Sequence, residues 1–188
     1  MERPWTTVSP IIPTMKSILF SLFVGLVLLS GCATMPQSTA KVEVNFENPD
    51  KFTDFKTSYM GTDRDIADLT NQFTKYLQNL GGIYLPDGDV LTITFTDIDL
   101  AGDFEPWHGP QAQDIRFLKE IYPPRLTFNY KLTDASGKVV AEGSKRLMDL
   151  NYQMRIQLPS TDPLRYEKSM LDDWMRGEIK PQVRLASK

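Results

Sequence analysis

Two hydrophobic periods run along the chain, and the switches between them mark out its elements. Val42, Val44 and Phe46 alternate with Glu43 and Asn45, which predicts a short half-buried strand ended by Asn48-Pro49-Asp50. From residue 62 to residue 80 the period changes. Ile66, Leu69, Phe73, Leu77 and Leu80 recur every three or four positions, the stripe of an amphipathic helix that faces a core. Thr62 and Asp65 form a cap-like start, and Gly81-Gly82 is expected to stop the helix in the left-handed conformation.

Leu91, Ile93 and Phe95 then point one way, and Thr92, Thr94 and Thr96 the other. The next apolar residues, Ile98 and Leu100, are out of phase. A strand regains its face only by an extra residue, so a bulge or bend is expected near Thr96-Asp97. After Pro123-Pro124, Leu126, Phe128, Tyr130 and Leu132 alternate with Thr127, Asn129, Lys131 and Thr133. Asp134-Ala135-Ser136-Gly137 makes a turn, and 139–147 returns as the partner strand. Asp162-Pro163 is expected to cap a last helix with proline at its first position. Leu164, Leu171, Trp174 and Met175 form its apolar side, and Glu167, Lys168, Asp172 and Asp173 its wet face. The order strand, helix, strand, hairpin, helix predicts an α+β fold. Its small, mostly antiparallel sheet carries two helices packed on one face, as a single domain over residues 41–188.

The N-terminus follows neither period. Met15-Lys16 opens a short positive segment, and residues 18–29 are almost continuously apolar, too short for a comfortable membrane span and suited to a secretory leader. Met15 is read as the true start, because residues 1–14 carry internal prolines and no leader-like pattern. Leu29-Ser30-Gly31-Cys32 follows directly and resembles the lipobox of bacterial lipoproteins. Leu29, Ser30 and Gly31 would be the recognition residues of the signal peptidase, and the Cys32 thiol the nucleophile that takes a diacylglyceryl group. Residues 1–31 are thus read as a signal peptide and 32–40 as lipid anchor and tether. The plainer alternative is a secretory leader with an incidental cysteine. Ala33, in place of the aspartate that marks inner-membrane retention in such proteins, points by that resemblance to the outer membrane. The polar segment 33–40 reaches at most about 28 Å.

Charge and cysteine content narrow the functions. The 188-residue chain has net charge −3, and setting aside residues 1–31 leaves 19 basic against 23 acidic side chains. A mildly acidic domain gains nothing from counterion release, so no nucleic-acid partner is expected. Its surface is also weakly repelled by anionic lipid, so attachment would rest on the lipidated Cys32. That residue is the only cysteine, which rules out an intrachain disulfide and any zinc site needing two thiolates.

Candidate chemistry is sparse. There is no Walker loop, His-Glu-x-x-His or Gly-x-Ser-x-Gly motif, and His108 is the lone imidazole. One acidic loop stands out, with Asp97, Asp99, Asp103 and Glu105 followed by Trp107, His108 and Asp114. Carboxylates this dense can hold Ca²⁺ or divide general acid and base roles. The plainer reading is a solvated loop whose carboxylates cap turns and pair with Arg116 or Arg125. Trp107, after Pro106, is expected as a lid on the core edge before a ligand platform. No catalytic residue, metal or cofactor is assigned. On the last helix, Tyr166 and Trp174 are the anchors a partner-binding face would use.

Several segments carry a family resemblance: 96–107 (Thr-Asp-Ile-Asp-Leu-Ala-Gly-Asp-Phe-Glu-Pro-Trp), Tyr122-Pro-Pro-Arg125, Asp149-Leu-Asn-Tyr152, Asp162-Pro-Leu-Arg-Tyr-Glu167 and Leu171-Asp-Asp-Trp174. In this order they resemble the bacterial family called domain of unknown function 3016. The resemblance implies a small envelope protein, often a lipoprotein, and supplies no activity. The expectation is a non-enzymatic interaction or assembly module on the periplasmic face of a membrane, with an envelope protein as partner. The alternative is a metal-dependent or carboxylate-based hydrolase of envelope material working through the 97–114 loop.

Overall fold

Val42 and Val44 begin burying apolar surface at the first residues that the computed structural model describes, which are 41–155 and 160–186. All belong to one compact unit, Gln37–Lys188. Leu29, Ser30, Gly31 and Cys32 lie outside the described residues, as does the 33–40 tether.

Four strands make the main sheet: β1 (Lys41–Phe46), β2 (Val90–Asp99), β5 (Arg125–Thr133) and β6 (Val139–Met148), in the order β1-β2-β5-β6. A second, two-stranded piece pairs β3 (Asp103–Phe104) with β4 (Arg116–Phe117). β1 runs parallel to β2, Lys41 opposite Val90 and Phe46 opposite Phe95, while β2–β5 and β5–β6 are antiparallel. A parallel neighbour needs a crossover, and α1 (Asp63–Tyr84) supplies it. The phase slip in β2 is a bulge: register shifts between Phe95 and Asp97, so Ile98 comes opposite Leu126 and stays in the core.

One face of the sheet is apolar and covered. Leu91, Ile93, Phe95, Ile98, Leu126, Phe128 and Leu132 are fully buried against Leu69, Phe73 and Leu77 of α1 and Leu171 of α2 (Arg165–Trp174). Aromatic rings run through this layer, from Phe46 to Phe95 (5.2 Å), Phe95 to Phe128 (5.4 Å) and Phe128 to Trp174 (4.7 Å). On the other face Thr92, Thr94 and Thr127 are half-buried, and Asn129, Lys131 and Ser144 are exposed. A π-helical turn, Met175–Ile179, continues α2 into α3 (Lys180–Ala186). No described helix is long and apolar enough to cross a membrane.

Three local expectations need correction. Gly81-Gly82 does not stop α1, which runs on to Tyr84. Gly81 is buried where helix meets sheet, and a Cβ there would clash with Val42 Cγ2, so its lack of a side chain sets the approach. Asp162-Pro163 does not open the last helix, which starts at Arg165; Asp162 Oδ1 instead accepts from Leu164 N–H at 2.9 Å in a preceding turn. Glu167, expected on the wet face, is fully buried. The Thr62 cap does form, its side chain accepting from Asp65 N–H at 3.1 Å.

Candidate functional site

The bulge after Phe95 turns Asp97 and Asp99 away from the core, at the end of β2 where residues 47–61 fold back. Asp54 forms a parallel bridge with Asp99, its N–H donating to Ile98 O at 3.0 Å. That fold-back gives Asp97 its partner. Its two carboxylate oxygens accept from Thr53 N–H (2.7 Å) and Thr53 Oγ1 (2.9 Å). Asp99 faces Arg125 at 3.4 Å. Burial is the largest influence on Asp99 and raises its pKa, against the pull of Arg125. Asp103 accepts from the N–H of Phe104 at 2.7 Å, and Asp114 from that of Tyr59 at 3.1 Å.

Arg116 ties this region together. Its guanidinium pairs with the buried Asp54, donates to Gly102 O and Lys56 O (2.9 Å each), and lies over the Phe104 ring at 4.5 Å. One planar fork therefore joins the fold-back, the 100–105 segment and β4.

Glu105 has a separate setting. It is 1% exposed, and its carboxylate accepts from Lys119 Nζ (2.7 Å to each oxygen) and Tyr122 OH (3.0 Å) and meets His108 Nε2 at 2.8 Å. The Lys119 hydrogen bond, more than any other influence, holds its pKa below the ordinary glutamate range. The Glu105 carboxylate in turn raises the Tyr122 hydroxyl. His108 lies near Phe117 (centroids 5.0 Å apart) and Trp107 (6.1 Å). Trp107 is not the lid expected of it: it is 70% exposed.

The seven residues named in the acidic loop are thus divided. Glu105, His108 and Trp107 come together, while Asp97, Asp99, Asp103 and Asp114 each serve a different partner. Asp99 pairs with Arg125 as the plainer reading expects, whereas Arg116 takes Asp54 in place of a loop carboxylate. Among the described residues no group of three or more His, Cys, Asp and Glu side chains is placed to hold a metal ion. Glu105 is enclosed by its donors, so the open flank of this set belongs to His108 and Trp107.

A second buried carboxyl escapes the sequence reading. Glu167 Oε1 accepts from Ala101 N–H at 2.7 Å, and Oε2 is buried with no hydrogen-bond partner among the described residues. Burial pushes its pKa up to about 7, opposed by the Ala101 hydrogen bond and, more weakly, by the charge of Arg116. A signal was present, because Leu164, Glu167, Leu171 and Trp174 share one helical face.

Comparison with curated proteins yields no match. A family profile does match, over residues 40–177, and so covers the sheet, α1, α2 and the loop just described. The chain belongs to the family described as "Protein of unknown function (DUF3016)".

Proposed function

We propose that this protein is a lipid-anchored envelope protein, held through Cys32 on the periplasmic face of the outer membrane, and that its domain is a non-enzymatic interaction module. Supporting the anchor is the lipobox-like run Leu29-Ser30-Gly31-Cys32 after an apolar leader. Two or three acyl chains make release negligible, at about 0.8 kcal/mol per buried CH₂.

The observation that carries the interaction role is the polarity of the sheet. Residue 41, where the tether enters, pairs with Val90 at one end of β2. Asp99 at its other end pairs with Arg125, which pairs with Met148. Among the described residues, eight of the eleven large apolar side chains left exposed belong to this second end, among them Trp107, Ile121, Leu150 and Met154. A strand the length of β2 spans about 30 Å, so an upright domain presents these side chains away from its own bilayer. Apolar surface gathered far from the anchor fits a protein partner. The loop carboxylates, each committed to a neighbouring group, serve here to shape that end.

The test is site-specific photo-crosslinking in cells, with the reactive side chain at Ile121 or Met154 and, for comparison, at Ile83 on the tether side. Discrete adducts with an envelope protein from Ile121 and Met154, absent from Ile83, are expected. Adducts with lipid alone, or equal adducts from all three positions, would overturn the interaction role.

A further inference from the structure

Among the described residues β6 is an edge strand, hydrogen-bonded to β5 alone, with the backbone groups of its other edge unpaired. Beside it runs α2 with its π-helical turn. Between strand and helix lies a groove of about 470 Å³, within the range of ligand sites. Leu147, Met148, Met170 and Trp174 give it an apolar lining, and Gly177 lines it from the π-helical turn. Met side chains adapt to varied partners. The Trp174 indole N–H is buried here without an acceptor among the described residues.

The charges around the groove are mostly satisfied internally. Asp149 and Asp173 both pair with Arg155, and Glu178 takes Lys145 at 2.6 Å and Tyr130 OH at 3.0 Å. Arg146 is different. It lines the groove, is exposed, and makes no ion pair among the described residues. Arg146 is therefore the one charge of the lining with no ionic partner among the described residues, and it calls for an acidic group on whatever lies opposite.

We infer that the groove between β6 and α2 is a docking site for an extended peptide segment of a partner protein. The segment adds to β6 as a strand, lays an apolar side chain over Met170 and Trp174, and sets an acidic side chain against Arg146. This rests on reading the domain as an interaction module and adds where and how the partner binds. A row of strand-edge donors and acceptors is matched by another strand and wasted on a compact small molecule. The protein's own tether is a poor occupant. It enters at β1, three strands away and at the opposite end of the sheet, and its whole reach is at most about 28 Å.

The experiment pans the full chain, in detergent micelles, against a phage-displayed library of random dodecapeptides, and titrates the best-enriched synthetic peptide calorimetrically. Gly177→Trp fills the groove. A Cβ at Gly177 meets nothing within 4 Å, and the same holds for Gly82 on the exposed side of α1, so Gly82→Trp is the matched control. Enriched peptides should pair an acidic with an apolar residue. Gly177→Trp should weaken them by about tenfold or more, Gly82→Trp should leave them unchanged, and Arg146→Glu should abolish the preference for acidic residues. Failure to enrich any peptide, or equal affinity for Gly177→Trp and wild type, overturns the groove. So does a concentration-dependent dimer that Gly177→Trp dissolves, because the occupant is then a second copy. Crosslinks from Ile121 that survive Gly177→Trp leave the interaction module standing and overturn only this site.

Discussion

Burying a carboxyl at Glu167 without a paired cation ties stability to pH, and Glu167→Gln measures how strongly. The side chain is fully buried, accepts a hydrogen bond from Ala101 N–H, and has no partner for Oε2 among the described residues. The charged groups acting on it are Arg116, which favours the carboxylate, and Asp162, which opposes it. Its pKa rises from 4.5 in the ordinary state to about 7 in the fold. Because the folded value is the higher one, the neutral acid's stabilisation is complete below 4.5 and is lost as pH rises through about 7. At about 1.4 kcal/mol per pH unit of displacement, wild type should lose about 3 kcal/mol across that window. Glutamine has the shape of the neutral acid and keeps the acceptor for Ala101. Urea unfolding of the 37–188 unit should therefore give Glu167→Gln stability close to wild type near pH 5 and about 3 kcal/mol greater near pH 8. The difference between the two proteins removes the contribution of other titrating groups. Parallel stability curves, or a glutamine variant that loses ground as pH rises, would refute the reasoning.

Other substitutions probe the rest of the frame. Arg116→Ala strands the buried Asp54 carboxylate and should cost about 3 kcal/mol or more in thermal or urea unfolding, and Arg116→Lys should recover little because an ammonium lacks the fork. Gly81→Ala drives a methyl into Val42 and should destabilise by about 1–3 kcal/mol, whereas Gly82→Ala, with open space around its Cβ, should stabilise by up to about 1 kcal/mol. Trp107→Ala should change stability by no more than about 0.5 kcal/mol, since the ring is mostly in solvent, while weakening any partner that uses the far end.

The elements were legible wherever a hydrophobic period ran long enough to fix a face. Val42 to Phe46, the α1 stripe and the 126–132 alternation all sit where their periods place them, and the phase slip at Thr96-Asp97 is the bulge itself. Less legible were the choices that depend on distant partners. Gly81 reads as a helix stop until Val42 is seen against it, because glycine permits both a left-handed turn and a close approach. Glu167 reads as solvated by its charge, although its spacing from Leu164 and Leu171 places it inward. Neither Asp54 with Arg116 nor Asp97 with Thr53 shows any local pattern, since the partners of each pair stand more than forty residues apart in the chain. The acidic loop looked like one site because its residues are close in sequence. A bulge and a short hairpin send its side chains to separate partners.

Attachment through Cys32 is the claim on which orientation, reach and the meaning of the far end all depend. The direct measurement is intact mass and N-terminal peptide mass of the protein extracted from membranes. A lipid-anchored protein begins at Cys32 and carries a thioether-linked diacylglyceryl group, and Cys32→Ala loses both the modification and the cleavage. A polypeptide recovered without detergent, with the Cys32 thiol free or the leader still attached, would contradict it.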